Sequence, residues 1–214
     1  MYSPPYFKEK NQKLVREFME QHPFITLCGC DAQGNPVATH VPVILREEND
    51  TLTICGHIMR KTDHHLAFAQ NPNVLAIFSG AHTYVSASWY SNPRQGSSWN
   101  YMAVHAKGKI RFLDQEGLLG VLRDLTAKFE NNDQSPSLFE KLPTEYVEQM
   151  SKAIVAFAVE VKEIDNVFKL SQNRDEASFH NIIAKLDEQG GDGKIIAEEM
   201  KKRAAQLFSK TETA

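Results

Sequence analysis

Apolar residues occur in short runs separated by polar turns through most of the chain, and this spacing predicts strands rather than long helices. The first runs are Phe24–Cys30, residues 37–46 and residues 51–55. Residues 31–36 separate the first two runs and contain the Gly and Asn that suit a hairpin turn. The polar residues 47–50 form the next turn. Three strands joined by short turns predict an antiparallel meander.

Apolar residues at intervals of three or four predict helices between and after the strands. Helices are expected at residues 13–22, Asp63–Gln70 and residues 114–131, and short helical pieces are expected at residues 136–150. The last forty residues predict two more helices, which are interrupted by the segment Gly190-Gly191-Asp192-Gly193.

The stretch from Ile54 to Tyr101 predicts, in order, a strand, a basic turn, a short helix, a strand, a hairpin and a further strand. Arg60 and Lys61 lie in the turn, directly before Thr62, whose hydroxyl suits the cap of the following helix. Two cations beside the free N–H groups and positive dipole end of a helix favour a phosphate-binding site. The alternative is a solvated turn without a ligand.

Two later runs, residues 99–112 and 153–163, complete six or seven predicted strands. In the first of them, odd-numbered residues share one face and even-numbered residues share the other. Hairpin spacing with few crossover helices favours an antiparallel barrel, a mainly β (α+β) fold with peripheral helices. We expect a barrel domain at residues 1–165 and a helical extension packed on it at residues 166–214.

Composition narrows the class of protein. The chain of 214 residues has a net charge of −3, so it has no general electrostatic attraction to nucleic acid or an anionic membrane. From the sequence we expect neither a secretory leader nor a membrane-spanning segment, since residues 1–6 lack a basic and apolar leader pattern and no apolar run reaches membrane-spanning length. Cys28, Cys30 and Cys55 form an odd set in apolar segments, which favours buried free thiols and a cytoplasmic location. A metal held by Cys28 and Cys30 is the weaker alternative.

Known catalytic and nucleotide-binding motifs are absent from the sequence: it contains no GxxxxGK[ST] loop, no GxGxxG after a strand and no GxSxG elbow. His57, His64, His65 and His82 suggest a metal cluster at first sight. However, His64 and His65 are adjacent on a predicted helix and point roughly 100° apart, so they do not readily bind one metal. We therefore predict no metal site, and no catalytic residue can be assigned.

Two polar and aromatic segments have two interpretations each. Trp89-Tyr90 and Trp99-Asn100-Tyr101 bracket the loop of residues 91–98, and their rings can cover a flat heteroaromatic ligand. They can equally close a barrel end or form a subunit contact. Lys169-Leu170-Ser171-Gln172-Asn173-Arg174 can hydrogen-bond a polar ligand or cap the helix that follows. The spacing of these residues leaves both alternatives open.

The order of several short motifs resembles the PaiB family, a branch of the flavin mononucleotide (FMN)-binding split-barrel superfamily, over nearly the whole chain. The matching pieces are Met1-Tyr2, Pro5 and Phe7, Ala38-Thr39-His40-Val41-Pro42, Gly56-His57 with Arg60, Tyr84-Val85-Ser86-Ala87-Ser88-Trp89-Tyr90, Ser98-Trp99-Asn100-Tyr101 with Val104-His105, and Lys169-Leu170-Ser171-Gln172-Asn173-Arg174.

The resemblance implies a homodimeric split barrel with FMN bound at the subunit interface. It also implies negative transcriptional regulation, because the family is described by its effect on protease production and sporulation. In the wider superfamily a Ser-Arg-Lys turn before a short helix holds the flavin phosphate. Met59-Arg60-Lys61 matches the two basic positions without the hydroxyl. The residues expected to contact the flavin are Arg60, Lys61, His57, Gly56, Pro42, Tyr84, Ser86, Trp99, Tyr101, Lys169, Gln172 and Asn173.

Two other functional hypotheses remain open beside the flavin-binding regulator. The family usually has a small residue where Lys61 stands, so this chain also resembles the pyridoxamine-phosphate oxidases, and a flavin-dependent oxidoreductase is the second hypothesis. Direct DNA binding is the third, based on basic residues near the carboxyl terminus. Lys194, Lys201, Lys202 and Arg203 form that patch, but Glu198 and Glu199 interrupt it, which is typical of a solvated helix face.

Overall fold

Six strands close into a barrel in the part of the chain described by a computed structural model, which covers residues 1–2, 4–48 and 51–208. The strands are β1 (Phe24–Cys30), β2 (Pro36–Glu48), β3 (Thr51–Met59), β4 (Asn73–Val85), β5 (Ser98–Phe112) and β6 (Ile154–Lys169). Their order around the barrel is β1-β2-β3-β6-β5-β4. The pairs β1–β2, β1–β4, β2–β3 and β3–β6 are antiparallel, so the predicted barrel is confirmed.

Six helices accompany the strands in the same described residues. They are α1 (Gln12–Gln21), α2 (Asp63–Gln70), α3 (Gln115–Glu130), α4 (Thr144–Ser151), α5 (Glu176–Gln189) and α6 (Gly191–Phe208). Three short 3-10 turns lie at Pro5–Phe7, Ala87–Trp89 and Phe139–Lys141. None of these helices combines the length and the apolar character that a membrane crossing requires.

The predicted element boundaries are accurate where the signal is local. β1 and α2 have the predicted bounds, and Thr62 caps α2 by accepting a hydrogen bond from the backbone of His65. The turn predicted at residues 47–50 is described only in part. Residues 47 and 48 belong to β2, and Asn49 and Asp50 lie outside the described residues.

β3, β4 and β6 extend furthest beyond their predicted bounds. β3 continues from the predicted end at residue 55 to Met59, because residues 56–59 pair with residues 154–157 of β6. β6 continues six residues beyond its predicted end at residue 163. β4 is one uninterrupted strand that joins the apolar run at residues 74–78 to Val85.

The chain divides into two compact units. The first unit comprises residues 1–16, 79–104 and 166–214, and the second comprises residues 17–78 and 105–165. The expected division into domains at 1–165 and 166–214 stays a prediction.

In the second unit, α3 lies over a patch of small and aliphatic side chains on the barrel strands. Leu118, Val121 and Leu125 of α3 are buried in one cluster with Ile44, Cys55, Ala156 and Ala158. Burial of each leucine or valine contributes about 1.5–3 kcal/mol. The helix begins where the Asp114 carboxylate accepts the N–H of Gly117, at 2.9 Å. It ends at Asn131, whose φ of 46° is left-handed.

In the first unit, the two carboxyl-terminal helices bury one apolar face each. The buried side chains include Phe179, Ile182, Leu186, Ile196 and Met200. The break between the helices is shorter than the predicted segment of four residues, because α6 begins at Gly191. Gly190 and Gly191 have φ values of 71° and 52°, which suffice to turn the chain.

Gly56 generates the first testable prediction. A Cβ added at this position lies 2.8 Å from Cζ of Phe157 and 3.0 Å from the carbonyl oxygen of Pro42. Phe157 is fully buried and has no room to move away. We expect Gly56→Ala to lower the free energy of unfolding by roughly 1–3 kcal/mol through overpacking, as measured by urea denaturation.

Gly120→Ala in α3 is the matched control. Its added Cβ meets nothing within 4 Å, so the same substitution raises stability by up to about 1 kcal/mol through helix propensity. Equal effects of the two substitutions contradict the packing assigned to Gly56.

Candidate functional site

The basic turn directly follows β3 in the second unit and is held by backbone hydrogen bonds. The N–H of Arg60 donates to the carbonyl of Ala153 at 2.9 Å, which extends the β3–β6 ladder by one bond. The hydroxyl of Thr62 donates to the carbonyl of Met59 at 3.0 Å. Lys61 has a φ of 64°, in the left-handed region that costs a non-glycine residue about 1–2 kcal/mol. The local contacts therefore hold a turn that Lys61 does not favour by itself.

The imidazole of His65 supports this conformation. Its Nδ1 accepts the N–H of Lys61 at 3.0 Å, so the ring must be neutral with its proton on Nε2. Burial lowers the pKa of His65, and the positive charges of Arg60 and His64 lower it further. The ring also packs edge-on against Phe112, with ring centroids 4.8 Å apart.

The Arg60 and Lys61 side chains are exposed, and within residues 1–2, 4–48 and 51–208 neither forms an ion pair with a carboxylate. Two adjacent cations without internal counter-charges fit a phosphate group. The first N–H groups of α2 are less available to a phosphate than the sequence suggested, because side chains already accept two of them. The His64 N–H donates to the Asp63 carboxylate at 2.7 Å, and the His65 N–H donates to the Thr62 hydroxyl. The side chains of the turn, more than the N–H groups of α2, are thus available to an anion.

The histidines of the second unit have separate environments. His64 hydrogen-bonds to the Thr62 hydroxyl and the Asp63 carboxylate, each at 3.0 Å. Nδ1 of His57 is buried without a hydrogen-bond partner, and burial lowers the pKa of this ring. Among the described residues, no three or more histidine, cysteine or acidic side chains are grouped as metal ligands.

The other two expected contact residues of the second unit lie on neighbouring strands. Pro42 and Gly56 belong to β2 and β3, and Val43 is the residue directly opposite Gly56. The Val43 N–H donates to the carbonyl of Pro23 at 2.8 Å. Five of the twelve expected residues, Pro42, Gly56, His57, Arg60 and Lys61, therefore belong to the second unit.

The remaining seven expected residues belong to the first unit, where the aromatic ones form an exposed surface. Trp99 is 53% exposed and Tyr84 is 47% exposed, and their rings meet edge to face at 5.9 Å. His82 lies 6.2 Å from Trp99 on another side. A groove of about 340 Å³ runs beside His82, Trp99 and Tyr101. Burial and the nearby Tyr2 hydroxyl raise the pKa of Tyr101.

The segment from Lys169 to Arg174 is rich in polar groups, but most of them have partners within the first unit. The Lys169 ammonium donates to the Ser98 hydroxyl and the Trp99 carbonyl and lies over the Phe7 ring. Its burial, with a smaller effect of Arg174, lowers the pKa of Lys169. The hydrogen bonds of the Lys169 ammonium thus go to β5, the strand that carries Trp99.

Gln172 and Ser86 also stabilise their own turns. The Gln172 amide donates to the Phe168 carbonyl and accepts the Leu170 N–H. The Ser86 hydroxyl accepts the Ser88 N–H at 3.2 Å. Asn173 is exposed.

Two contacts in this segment could not be read from the sequence. The hydroxyl of Ser171, at a φ of 63°, donates to the buried carboxamide of Asn100 at 3.1 Å. The guanidinium of Arg174 lies 4.1 Å from the centre of the Tyr90 ring. These pairs join positions more than seventy residues apart, so only their polar and aromatic character was visible beforehand.

The strand order and the short helix after a basic turn define a split-barrel protein of the FMN-binding type. The family model described as "Putative FMN-binding domain" matches residues 1–163. The chain is 36% identical over 201 residues to protease synthase and sporulation protein PAI 2 of Bacillus subtilis (strain 168), covering 94% of this chain and 96% of that protein. The chain therefore belongs to the PaiB family of FMN-binding-domain proteins, and the resemblance noted in the sequence is confirmed.

Several solved structures have folds similar to that of this chain. The FAD and heme binding protein from Mycobacterium smegmatis has a TM-score of 0.57 at 16% identity, covering 76% of this chain and 73% of that one. The flavocytochrome Anf3 from Azotobacter vinelandii has a TM-score of 0.53 at 14% identity, covering 78% of this chain and 72% of that one. At these identities the likeness shows the fold alone.

The contact between Lys61 and His65 predicts a pH dependence of stability. Because the pKa of His65 is lowered from its ordinary value of 6.5, the folded state binds fewer protons than the unfolded chain just below that pH. The stabilisation is therefore present above pH 6.5 and is lost as the pH falls through that value toward the lowered pKa.

We expect the free energy of unfolding, measured with urea between about pH 7.5 and 5, to fall less steeply in His65→Gln than in the parent chain. His40→Gln, on an exposed position of β2, serves as the control and should keep the parent slope. An unchanged slope in His65→Gln would show that this ring does not titrate with folding.

Proposed function

We propose that this protein binds FMN as a homodimer and acts as a negative regulator of PaiB type. The observation that supports the cofactor most directly is the pair of exposed cations, Arg60 and Lys61, on a turn fixed by its backbone. A turn with a fixed backbone presents its charges to a phosphate with little further loss of conformational freedom.

The energetics are compatible with a cofactor held at more than one point. A charge-assisted hydrogen bond contributes about 1.5–3 kcal/mol, whereas micromolar binding requires about 8 kcal/mol. Arg60 and Lys61 thus account for part of the affinity, and contacts to the flavin ring must supply the rest. The partnerless Nδ1 of His57, on the strand that leads into the turn, is one polar group suited to a ligand contact. A bound flavin supplies redox chemistry, so no acid–base pair is required of the chain.

The homodimer is proposed from the exposed aromatic surface of the first unit. Tyr84 and Trp99 expose about half of their surface, and an exposed aromatic pair is typical of a subunit contact or a ring-stacking surface. Lys169 and Gln172 serve this surface indirectly, because their polar groups already bind the chain around Trp99 and residues 168–170. Their role is to hold the aromatic strand in place.

Regulation is proposed to be indirect. Three of the four cations near the carboxyl terminus have carboxylate partners: Lys201 pairs with Asp187 at 2.7 Å, and Lys202 and Arg203 pair with Glu199. Paired charges contribute little to attraction of a phosphate backbone. Cys28, Cys30 and Cys55 form no disulfide within the described residues, which is consistent with the cytoplasm as the place of action.

Substitution of the two cations tests the cofactor. We expect Arg60→Ala and Lys61→Gly each to weaken FMN binding by roughly tenfold or more, as measured by quenching of flavin fluorescence. Lys61→Gly should leave the free energy of unfolding unchanged or raise it by about 1 kcal/mol, because glycine adopts the left-handed turn without strain.

Lys185→Ala, at an exposed position of α5, is the control that removes a lysine elsewhere and should bind FMN as the parent does. The flavin proposal fails if the parent chain shows neither binding nor thermal stabilisation by FMN, or if the turn variants bind it equally well.

Direct DNA binding and indirect regulation predict opposite results in a gel-shift titration. We expect no complex in gel-shift titrations with promoter DNA even at low salt, since electrostatic binding is strongest there. A complex that weakens steeply with added salt and is lost in Lys201→Ala would establish direct contact.

A further inference from the structure

A groove in the second unit, separate from the residues of the basic turn, has the features of a ligand site. Its volume is about 660 Å³, within the range of small-molecule sites. It is formed by the end of β1, the beginning of β4 and the middle parts of β5 and β6. None of the twelve residues expected to contact the flavin lines it.

The wall of the groove is mostly apolar. Cys28 and Cys30 lie on β1, Val74 and Leu75 lie on β4, and Pro36 begins β2. Cys28 and Leu75 are directly opposite each other in the β1–β4 ladder. The two thiols are half-buried rather than fully buried as the sequence suggested, since their strand borders the groove. This wall suits a hydrocarbon or aromatic body.

The rim of the groove is basic, and within the described part of the chain Lys109 is its one lysine without an ion-pair partner. The Lys107 ammonium binds the Glu163 carboxylate at 2.8 Å, and Lys162 binds Glu160. Lys109 is exposed and forms no ion pair with the described residues. Its charge still acts at longer range: Lys162 first, then Lys109 and Arg111, hold the pKa of Glu160 below its ordinary range.

This arrangement favours an anion of one charge. Among the described residues a single ammonium of the rim has no carboxylate partner and can compensate one ligand carboxylate, whereas a dianionic phosphate would also be repelled by the carboxylate of Glu163 in the lining. Since the wall is mostly apolar, with Asn71 and Asn73 as its amide side chains, a carboxylate joined to a body with little polarity fits it.

We propose that the groove binds a small monocarboxylic acid with an aromatic or branched aliphatic body. The carboxylate binds Lys109, and the body lies along Cys28, Cys30 and Leu75. The site is independent of the flavin proposed at Arg60 and Lys61.

The thiols of the wall provide a direct readout of occupancy. Cys28 and Cys30 line the groove, whereas Cys55 is 1% exposed and packs under α3. A ligand in the groove must slow alkylation of the first two thiols and leave the third unchanged. A neutral reagent is required, because a charged one would itself bind Lys109.

The experiment uses the full-length protein, N-ethylmaleimide and peptide mass spectrometry, with phenylacetate as the probe. We expect phenylacetate to slow labelling of Cys28 and Cys30 severalfold in a saturable way. Phenylacetamide, of the same shape without the charge, should protect roughly tenfold less well at equal concentration. Inorganic phosphate should not protect.

Variants of Lys109 test whether its ammonium binds the carboxylate of the ligand. Lys109→Ala should raise the phenylacetate concentration needed for half-protection by roughly tenfold or more, and Lys109→Arg should restore protection. Lys152→Ala, at the exposed end of α4, is the matched control and should behave as the parent chain. Thermal unfolding of each variant verifies that it is folded.

The proposal is overturned by no protection by phenylacetate or by a branched aliphatic acid such as isovalerate, by equal protection by acid and amide, by undiminished protection in Lys109→Ala, or by protection by inorganic phosphate. Protection by FMN in place of the acids also overturns it, because the groove would then be the flavin site. A failure of FMN binding at Arg60 and Lys61 leaves the result with the acids unaffected, since those labelling reactions contain no flavin.

Discussion

The hydrogen-bonded ladder between β3 and β6 is the constraint on which the basic turn depends. Residues 53–59 pair with residues 154–160, and the Arg60 N–H adds one more bond to the carbonyl of Ala153. Gly56 leaves room for the Phe157 ring of β6 and the Pro42 carbonyl of β2. Because β3 stays paired to its last residue, the turn begins at a defined point and Arg60 and Lys61 leave the barrel together.

The turn itself combines strain with compensation. Lys61 occupies a left-handed conformation, while its N–H binds the His65 ring and the Thr62 hydroxyl binds the Met59 carbonyl. Each of these contacts satisfies a backbone group, and among the residues that the structure describes no carboxylate pairs with the two cationic side chains. A strained backbone held by its neighbours, with charged groups left free, is the pattern expected of a binding turn.

Polar content alone does not identify a binding segment in this chain. Lys169, Ser171 and Gln172 have the hydrogen-bonding groups of a ligand site, but their partners are Ser98, Asn100 and the local backbone. The groove bordered by Lys109 could not be predicted from the sequence, because its lining residues come from five strands and from Asn71 after α2. Availability of a side chain depends on its partners, and partners are set by the fold.

The sequence by itself determined the features that depend on neighbouring residues. These are the bounds of β1 and α2, the Thr62 cap, the alternation along β5 and the family to which the chain belongs. Only the tertiary structure decided how far β3 and β6 extend and why the backbone of Lys61 is left-handed. It also decided that the Lys169 ammonium is hydrogen-bonded within the protein, whereas Lys109 forms no ion pair with the described residues. The reason is physical: periodicity and capping act over a few residues, whereas strand ends and ion-pair partners depend on groups that lie far apart in the chain.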